Sequence, residues 1–275
     1  MTRRRLFALQ AVLNRAYAEY DARWIEPDPV QFVWRYPRLE DREVAGLIAS
    51  SLAYGSVKQI KRSVEKVLGV LGNRPARTID SLDARQALRA LKGFKHRFND
   101  AVDAACLLVF IREMRRSAGS IESFVVPSGR TTELRSTLAD FVQRTLALKH
   151  HGLYGHGPLP HDAGVRFFFP SPKDGSACKR LCLYLRWMVR ADTVDPGGWT
   201  RVARSSLLIP LDAHIINISR RAKLTRRASP GWKMAEDITA TLRACDPEDP
   251  VKYDFALHRI GLFKREADLM SLRNA

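Results

Sequence analysis

The chain has 275 residues, 45% of them hydrophobic, enough for one large domain or two small ones with a packed core, which excludes a disordered tail. Lys and Arg number 46 against 29 Asp and Glu, and the resulting net charge of +17 points to a polyanionic partner. The longest apolar run, Ala104 to Ile111, falls far short of the roughly 18 residues that a bilayer span needs. Arg3, Arg4 and Arg5 are followed by Gln10, Asn14 and Arg15 rather than by the apolar core of a signal peptide, so the expected location is the cytoplasm. There Cys106, Cys178, Cys182 and Cys245 are expected as thiols, not as a disulfide framework.

In chain order, Leu6, Leu9, Leu13, Tyr17 and Tyr20 recur at helical spacing and predict a helix over 4–20, ending near the proline-containing segment 24–38. Two further patterns, 40–53 and 57–71, are separated at Tyr54-Gly55 and stopped by Gly72-Asn73, which reads as a helical hairpin. Helices are expected at 100–116 and 131–149, with 117–130 as a loop. The stretch His150 to His161, rich in Gly, His and Pro, reads as a linker, with His150, His151, His156 and His161 as loop histidines. Beyond it come 165–169, with the composition of a short strand, and 176–190, apolar almost all round and therefore a buried helix. Helices at 212–223, 230–243 and 250–260 complete the chain, the last two with Ser229 or Asp249 as N-cap and proline at the first helical position. The fold is expected to be all-α.

Between Lys179 and Arg227 eleven basic residues, among them Arg186, Arg190, Arg220 and Arg221, face three acids, a net of +8 in 49 residues. A basic face of this density suits phosphate contacts that carry no base information. Lys179 stands at the start of the apolar helix, where the partial positive charge of the helix end disfavours an ammonium and so favours a nucleophilic amine. Taken alone, it fits equally a phosphate contact or a surface lysine. Asp212, after Ile209-Pro210-Leu211, fits an N-cap, and a capping carboxylate is also rigidly aimed and ionised, as stabilising a developing cation requires. His214 lies two residues on, about 200° around a helix, and reads as a surface or phosphate contact. Tyr54, Phe167, Phe168, Phe169, Trp187 and Trp199 are either core or stacking residues. Cys178 and Cys182, with the other cysteines remote, do not match a metal-ligand spacing.

Gly175-Ser176-Ala177-Cys178-Lys179 resembles the hairpin and helix start of the helix-hairpin-helix DNA glycosylases. The segment 209–215 with 219–224 is similar to that superfamily's proline-valine-aspartate-threonine-histidine segment and its arginine-rich helix, and 48–59 resembles the helix-turn-helix lining its base pocket. Ala177 stands where the second hairpin glycine is found. Lys179 and Asp212 are 33 positions apart, similar to the archaeal 8-oxoguanine branch. The chain also looks like a bacterial family of unknown function, by 175–190 and 246–261, taken as a divergent glycosylase branch. The resemblance implies two helical subdomains flanking a cleft, residues 40–195 as a barrel-like subdomain ending in the hairpin and 1–39 with 196–275 as the second. It implies a bifunctional DNA glycosylase and AP lyase in base excision repair, excising an oxidised purine, 8-oxoguanine, through a lysine Schiff base. Lys179 and Asp212 would be catalytic, and Gly175, Ser176, Ala177, Cys178, Arg180, His214, Arg220 and Arg221 would bind DNA. Tyr54, Phe168 and Trp199 would stack on the base. The implied partner is duplex DNA with a damaged base on the nucleoid, met by a monomer, without membrane, metal or cofactor. The rival expectation is a non-catalytic nucleic-acid-binding module in which Lys179 is one basic contact of eleven.

Overall fold

The computed structural model describes residues 2–263 and 265–274, and it is built mostly of helix: fourteen α-helices among those residues and one two-stranded antiparallel sheet. The chain divides into two compact units, residues 26–131 with 135–171, and residues 1–25 with 132–134 and 172–275. These boundaries fall at 25/26 and 171/172 rather than at 39/40 and 195/196, so residues 175–190 belong to the terminal unit. No helix among the described residues is long and apolar enough to cross a membrane.

Helix α1 (Arg3–Glu19) opens the terminal unit, with Thr2 accepting from Arg5 N–H at its start and Leu9, Leu13 and Ala16 on its buried face. The middle unit holds α2 (Gln31–Trp34), α3 (Leu39–Ser51), α4 (Val57–Leu71), α5 (Pro75–Ser81), α6 (Ala84–Ala90), the strands β1 (Lys95–His96) and β2 (Asn99–Asp100), α7 (Ala101–Ala118), α8 (Ile121–Val125) and α9 (Leu134–Leu146). Its centre is α7, whose run Asp103 to Ile111 is buried because α5, α6 and α8 pack around it. The buried acids of α3 cap neighbours. Asp41 accepts from Ala76 N–H at the start of α5 (2.9 Å), and Glu43 from Ile121 and Glu122 N–H at the start of α8 (3.3 and 2.9 Å). A short helix therefore stands inside the expected loop 117–130.

Two further expectations for this unit are corrected. The stretch 150–161 is no linker: His150 is buried, and Tyr154 donates its hydroxyl to Asp103 (2.5 Å), the carboxylate that also holds Asn99 and the backbone of Asp100. The segment 165–169 is no strand, because Gly164–Phe168 turns as a 3-10 helix whose Gly164 sits so close to Asp103 that a Cβ would meet its carboxylate oxygen at 2.4 Å.

The terminal unit resumes with α10 (Lys179–Val189), α11 (Ala213–Arg221), α12 (Trp232–Cys245), α13 (Asp254–Leu262) and α14 (Glu266–Asn274). Helix α10 is buried from Leu181 to Val189, as its all-round apolar surface predicts. Helix α12 starts at Trp232, not at Pro230, because Gly231 lies against Gly175 and Trp232 N–H donates to Gly175 O (3.0 Å). Helix α13 starts at Asp254, not at Pro250, because the Asp249 carboxylate accepts from Arg190 Nε (2.8 and 3.1 Å) and caps nothing.

Candidate active site

Helix α10 is set in place by buried charge. Arg186 and Arg190 are each 2% exposed. Arg186 bonds Asp195 (2.9 Å) and Asp254, and Arg190 bonds Asp195, Asp192 (2.7 Å) and Asp249. Asp192 in turn accepts from Val194 and Asp195 N–H (2.8 and 2.7 Å) and from the Tyr17 hydroxyl (2.9 Å). Guanidinium forks suit such multiple pairing with carboxylates, and a buried charge lacking its partner would be costly. Arg186 and Arg190 are therefore not part of the basic phosphate-binding face expected over 179–227.

The turn before α10 is fixed by short-range bonds. Gly175 adopts φ +75°, its N–H donating to Pro172 O (3.2 Å) and its carbonyl receiving Trp232 N–H. Cys178 is left-handed at φ 49°, and its N–H donates to Ser176 Oγ (3.2 Å). Of the four backbone donors expected to hold a phosphate, those of Gly175 and Cys178 are thus already occupied. Those of Ser176 and Ala177 have no acceptor among the described residues. Lys179, half-buried, is the first residue of the helix.

Asp212 is the N-cap of α11, with Oδ1 accepting from Ile215 N–H (2.8 Å). Its Oδ2 lies 3.2 Å from His258 Nε2 on α13. Arg259 places Nη1 3.3 Å from His258 Nδ1, on the side of the imidazole away from Asp212, and Nε2 faces the carboxylate. Arg259 is itself anchored on Trp24 O by Nε and Nη2 (3.2 and 3.0 Å). Burial raises the Asp212 carboxyl, but the His258 hydrogen bond, the attraction of His258 and of Lys179, and the Ile215 N–H outweigh it, so the carboxyl is held well below the usual carboxylate range. The structure thus brings Lys179 within electrostatic reach of an ionised Asp212.

His214, expected as a surface or phosphate contact, is half-buried, its ring 5.1 Å from that of His258 and nearly perpendicular to it. Gly261 allows this approach: a Cβ there would meet His214 Cβ at 3.2 Å. One face of α13 accordingly carries Asp254 to α10, His258 to Asp212 and Gly261 against α11. Sequence reasoning missed His258, although Asp254, His258 and Gly261 at i, i+4 and i+7 mark a shared face.

The stacking candidates separate. Phe168 is fully buried and Trp199 is 4% exposed, its ring edge-on to Tyr184 (5.2 Å), so both are core residues and neither can stack on a base as it stands. Trp187 is core as well. Tyr54 is half-buried and bonded to Asn99 Oδ1 (2.5 Å). It joins Phe167 (4.8 Å) and Phe98 (5.7 Å), both exposed. Phe98 was missed because the β1–β2 turn that displays it is only two residues long. Arg180 is half-buried, whereas Arg220 and Arg221 are exposed at the far end of α11. All four cysteines are free and buried, and no three His, Cys, Asp or Glu side chains converge as a metal site among the described residues.

Comparison with known proteins gives one family: the model described as "Protein of unknown function (DUF2400)" matches residues 28–263. No curated protein and no solved structure matches the chain. With most of its length matched, the chain belongs to the DUF2400 family.

Proposed function

We propose that the protein is a DNA glycosylase with AP-lyase activity on an oxidised purine, 8-oxoguanine, in a helix-hairpin-helix glycosylase fold acting on the nucleoid. The supporting observation is that Lys179, first residue of α10, lies within electrostatic reach of an Asp212 carboxylate that hydrogen bonds from His258 and the Ile215 N–H keep ionised. In this reading the damaged nucleotide is flipped out of the duplex. The Lys179 amine attacks C1′, and the base leaves with the electron pair of the C1′–N9 bond and takes up a proton. The sugar ring opens as the lysine nitrogen loses its protons to give the imine, which permits strand cleavage and is then hydrolysed by water. Asp212 faces the cationic sugar, where a fixed negative charge lowers the barrier. The Ser176 and Ala177 N–H groups hold a phosphate, and the choice of 8-oxoguanine rests on the archaeal resemblance.

Borohydride reduction in the presence of an 8-oxoguanine duplex tests this. Wild type should become covalently attached to DNA, and Lys179→Gln should bind the duplex without forming the adduct. An adduct formed by the Gln variant would remove Lys179 from the mechanism. Absence of reaction with 8-oxoguanine, uracil, 3-methyladenine and thymine glycol would leave a non-catalytic nucleic-acid-binding module as the better reading.

A further inference from the structure

The C-terminal end of α11 carries a second feature, roughly 14 Å along the helix from Asp212 at about 1.5 Å per residue over its nine residues. A cavity of about 710 Å³ opens there, lined by Arg5, Lys223, Thr225, Arg226 and Asp237 among others. The carboxylate in it, Asp237, is engaged by the Thr225 hydroxyl. Arg5 reaches only a backbone carbonyl, Ala222 O at 3.4 Å. Among the described residues neither Lys223 nor Arg226 meets a carboxylate. A neighbouring cavity of about 240 Å³ is lined, among the described residues, by Arg220, Arg221, Lys223, Met270 and Arg273. Lys223 is shared by both.

Lys223 is also where the helix ends. Leu224 N–H donates back to Ser219 O (2.8 Å) and Lys223 N–H to Arg220 O (3.1 Å), the two bonds of a Schellman motif. Lys223 occupies its left-handed position at φ 56°. Glycine is the residue that this position favours, because a Cβ is strained there. The chain instead places a lysine in the strained position, and its ammonium lies between two basic cavities. Strain kept at such a point is a reason to look for a ligand.

We propose that these two cavities form a phosphate-binding site in which Lys223 is shared between successive phosphate groups. Among the described lining residues six cationic side chains stand against one engaged carboxylate, and the five arginines offer planar forks suited to phosphate oxygens. Successive phosphates along one nucleic-acid strand fit two adjoining cavities divided by a single ammonium. The identity of the ligand as a strand rests on the nucleic-acid reading above; the phosphate chemistry does not.

The test uses the full chain and two probes, a fluorescein-labelled oligothymidylate followed by anisotropy and tripolyphosphate followed by calorimetry. Lys223→Gly should melt at a higher temperature than wild type, because it relieves the left-handed Cβ, yet bind the strand about tenfold more weakly, with a salt slope smaller by about one charge. A residue with only a structural role cannot move stability and affinity in opposite directions. Arg226→Gln should weaken binding without the gain in melting temperature. If tripolyphosphate binding is lost in both variants while strand binding is unchanged, the phosphate site stands and its ligand is a small polyphosphate. If wild type binds tripolyphosphate but not the oligothymidylate, the strand assignment and the nucleic-acid reading that it rests on fail while the phosphate site remains. If both variants bind both probes as wild type does, or wild type binds neither, the proposal is overturned.

Discussion

His258→Phe isolates the contact that the sequence reading missed. The ring is retained against His214, while the Nε2 donor to Asp212 is deleted. A hydrogen bond to a charged group contributes about 1.5–3 kcal/mol. The Asp212 side chain is only 18% exposed, so solvent screening removes little of it. At about 2–4 °C per kcal/mol for a chain of this size, the variant should melt about 3–12 °C lower at neutral pH. The pH dependence has a definite sign. The folded carboxyl lies below its unfolded value, so its contribution is complete above the unfolded value near about 3.9 and disappears as pH falls toward the folded one. Urea titrations of both proteins from neutral pH downward should give a constant gap that closes below about pH 4. His258→Gln, which keeps a side-chain N–H, should recover part of it. A Phe variant within about 0.5 kcal/mol of wild type, or a gap that widens in acid, would refute the reasoning.

Other substitutions probe the remaining parts. Asp212→Asn keeps an N-cap of nearly equal strength but removes the negative charge and the charged bond to His258, so stability should fall by an amount comparable to that of His258→Phe, DNA affinity should stay near wild type, and turnover on an 8-oxoguanine duplex should fall by about two decades or more; single-turnover kinetics decide this, and near-normal turnover would leave Asp212 as a cap alone. Arg190→Ala should cost about 3–5 kcal/mol in denaturant titration, because Asp195 stays buried without that partner. Reversing Arg220 and Arg221 to Glu should instead lower affinity for every duplex sequence about equally, read by anisotropy, with little change in melting temperature. Gly164→Ala drives a Cβ to 2.4 Å from an Asp103 oxygen that Asn99 and the Asp100 backbone also hold, and should cost about 1–3 kcal/mol in the same denaturant assay.

The long amphipathic helices were legible because their period survives burial on one face: α1, α3, α4 and α7 lie within a few residues of where the spacing places them. Short elements were not. Helices α5, α6 and α8 are each seven residues or fewer, too few turns for a period to show; α5 has no local side-chain cap and begins where Asp41 of a remote helix accepts from Ala76 N–H, and at α8 Glu43 adds to the local Ser120 cap. The same long-range chemistry misled the reading of 150–161, whose glycines and histidines look like a linker until Tyr154 is seen bonded to Asp103. Two helix starts moved for the same kind of reason. Asp249 and the segment before Trp232 carry good local cap signals, but the arginine on α10 and the hairpin carbonyl take their bonding groups first.

At the candidate site, local sequence revealed the two residues that sit at helix starts and hid the one that sits mid-helix. Lys179 and Asp212 occupy positions where any chain shows a turn followed by an apolar run, so their placement could be read without partners. His258 acquires its place only when three conditions hold together: Asp254 is tied to Arg186, Gly261 lets α11 approach, and Arg259 holds the far side of the imidazole. None of these is a local pattern. The buried ion pairs have a further effect on the charge argument. Arg186 and Arg190 add to the basic run when the sequence is counted, yet in the fold they are neutralised by acids as distant as Asp249 and Asp254, and the exposed positive charge moves to the end of α11 and the residues after it. In the proposed reading a phosphate-bearing ligand binds there, at Arg220, Arg221 and Lys223, while the ionised Asp212 stands at the opposite end of the same short helix. Because one helix carries both ends, a ligand gripped at 220–223 is held at a fixed distance from Asp212.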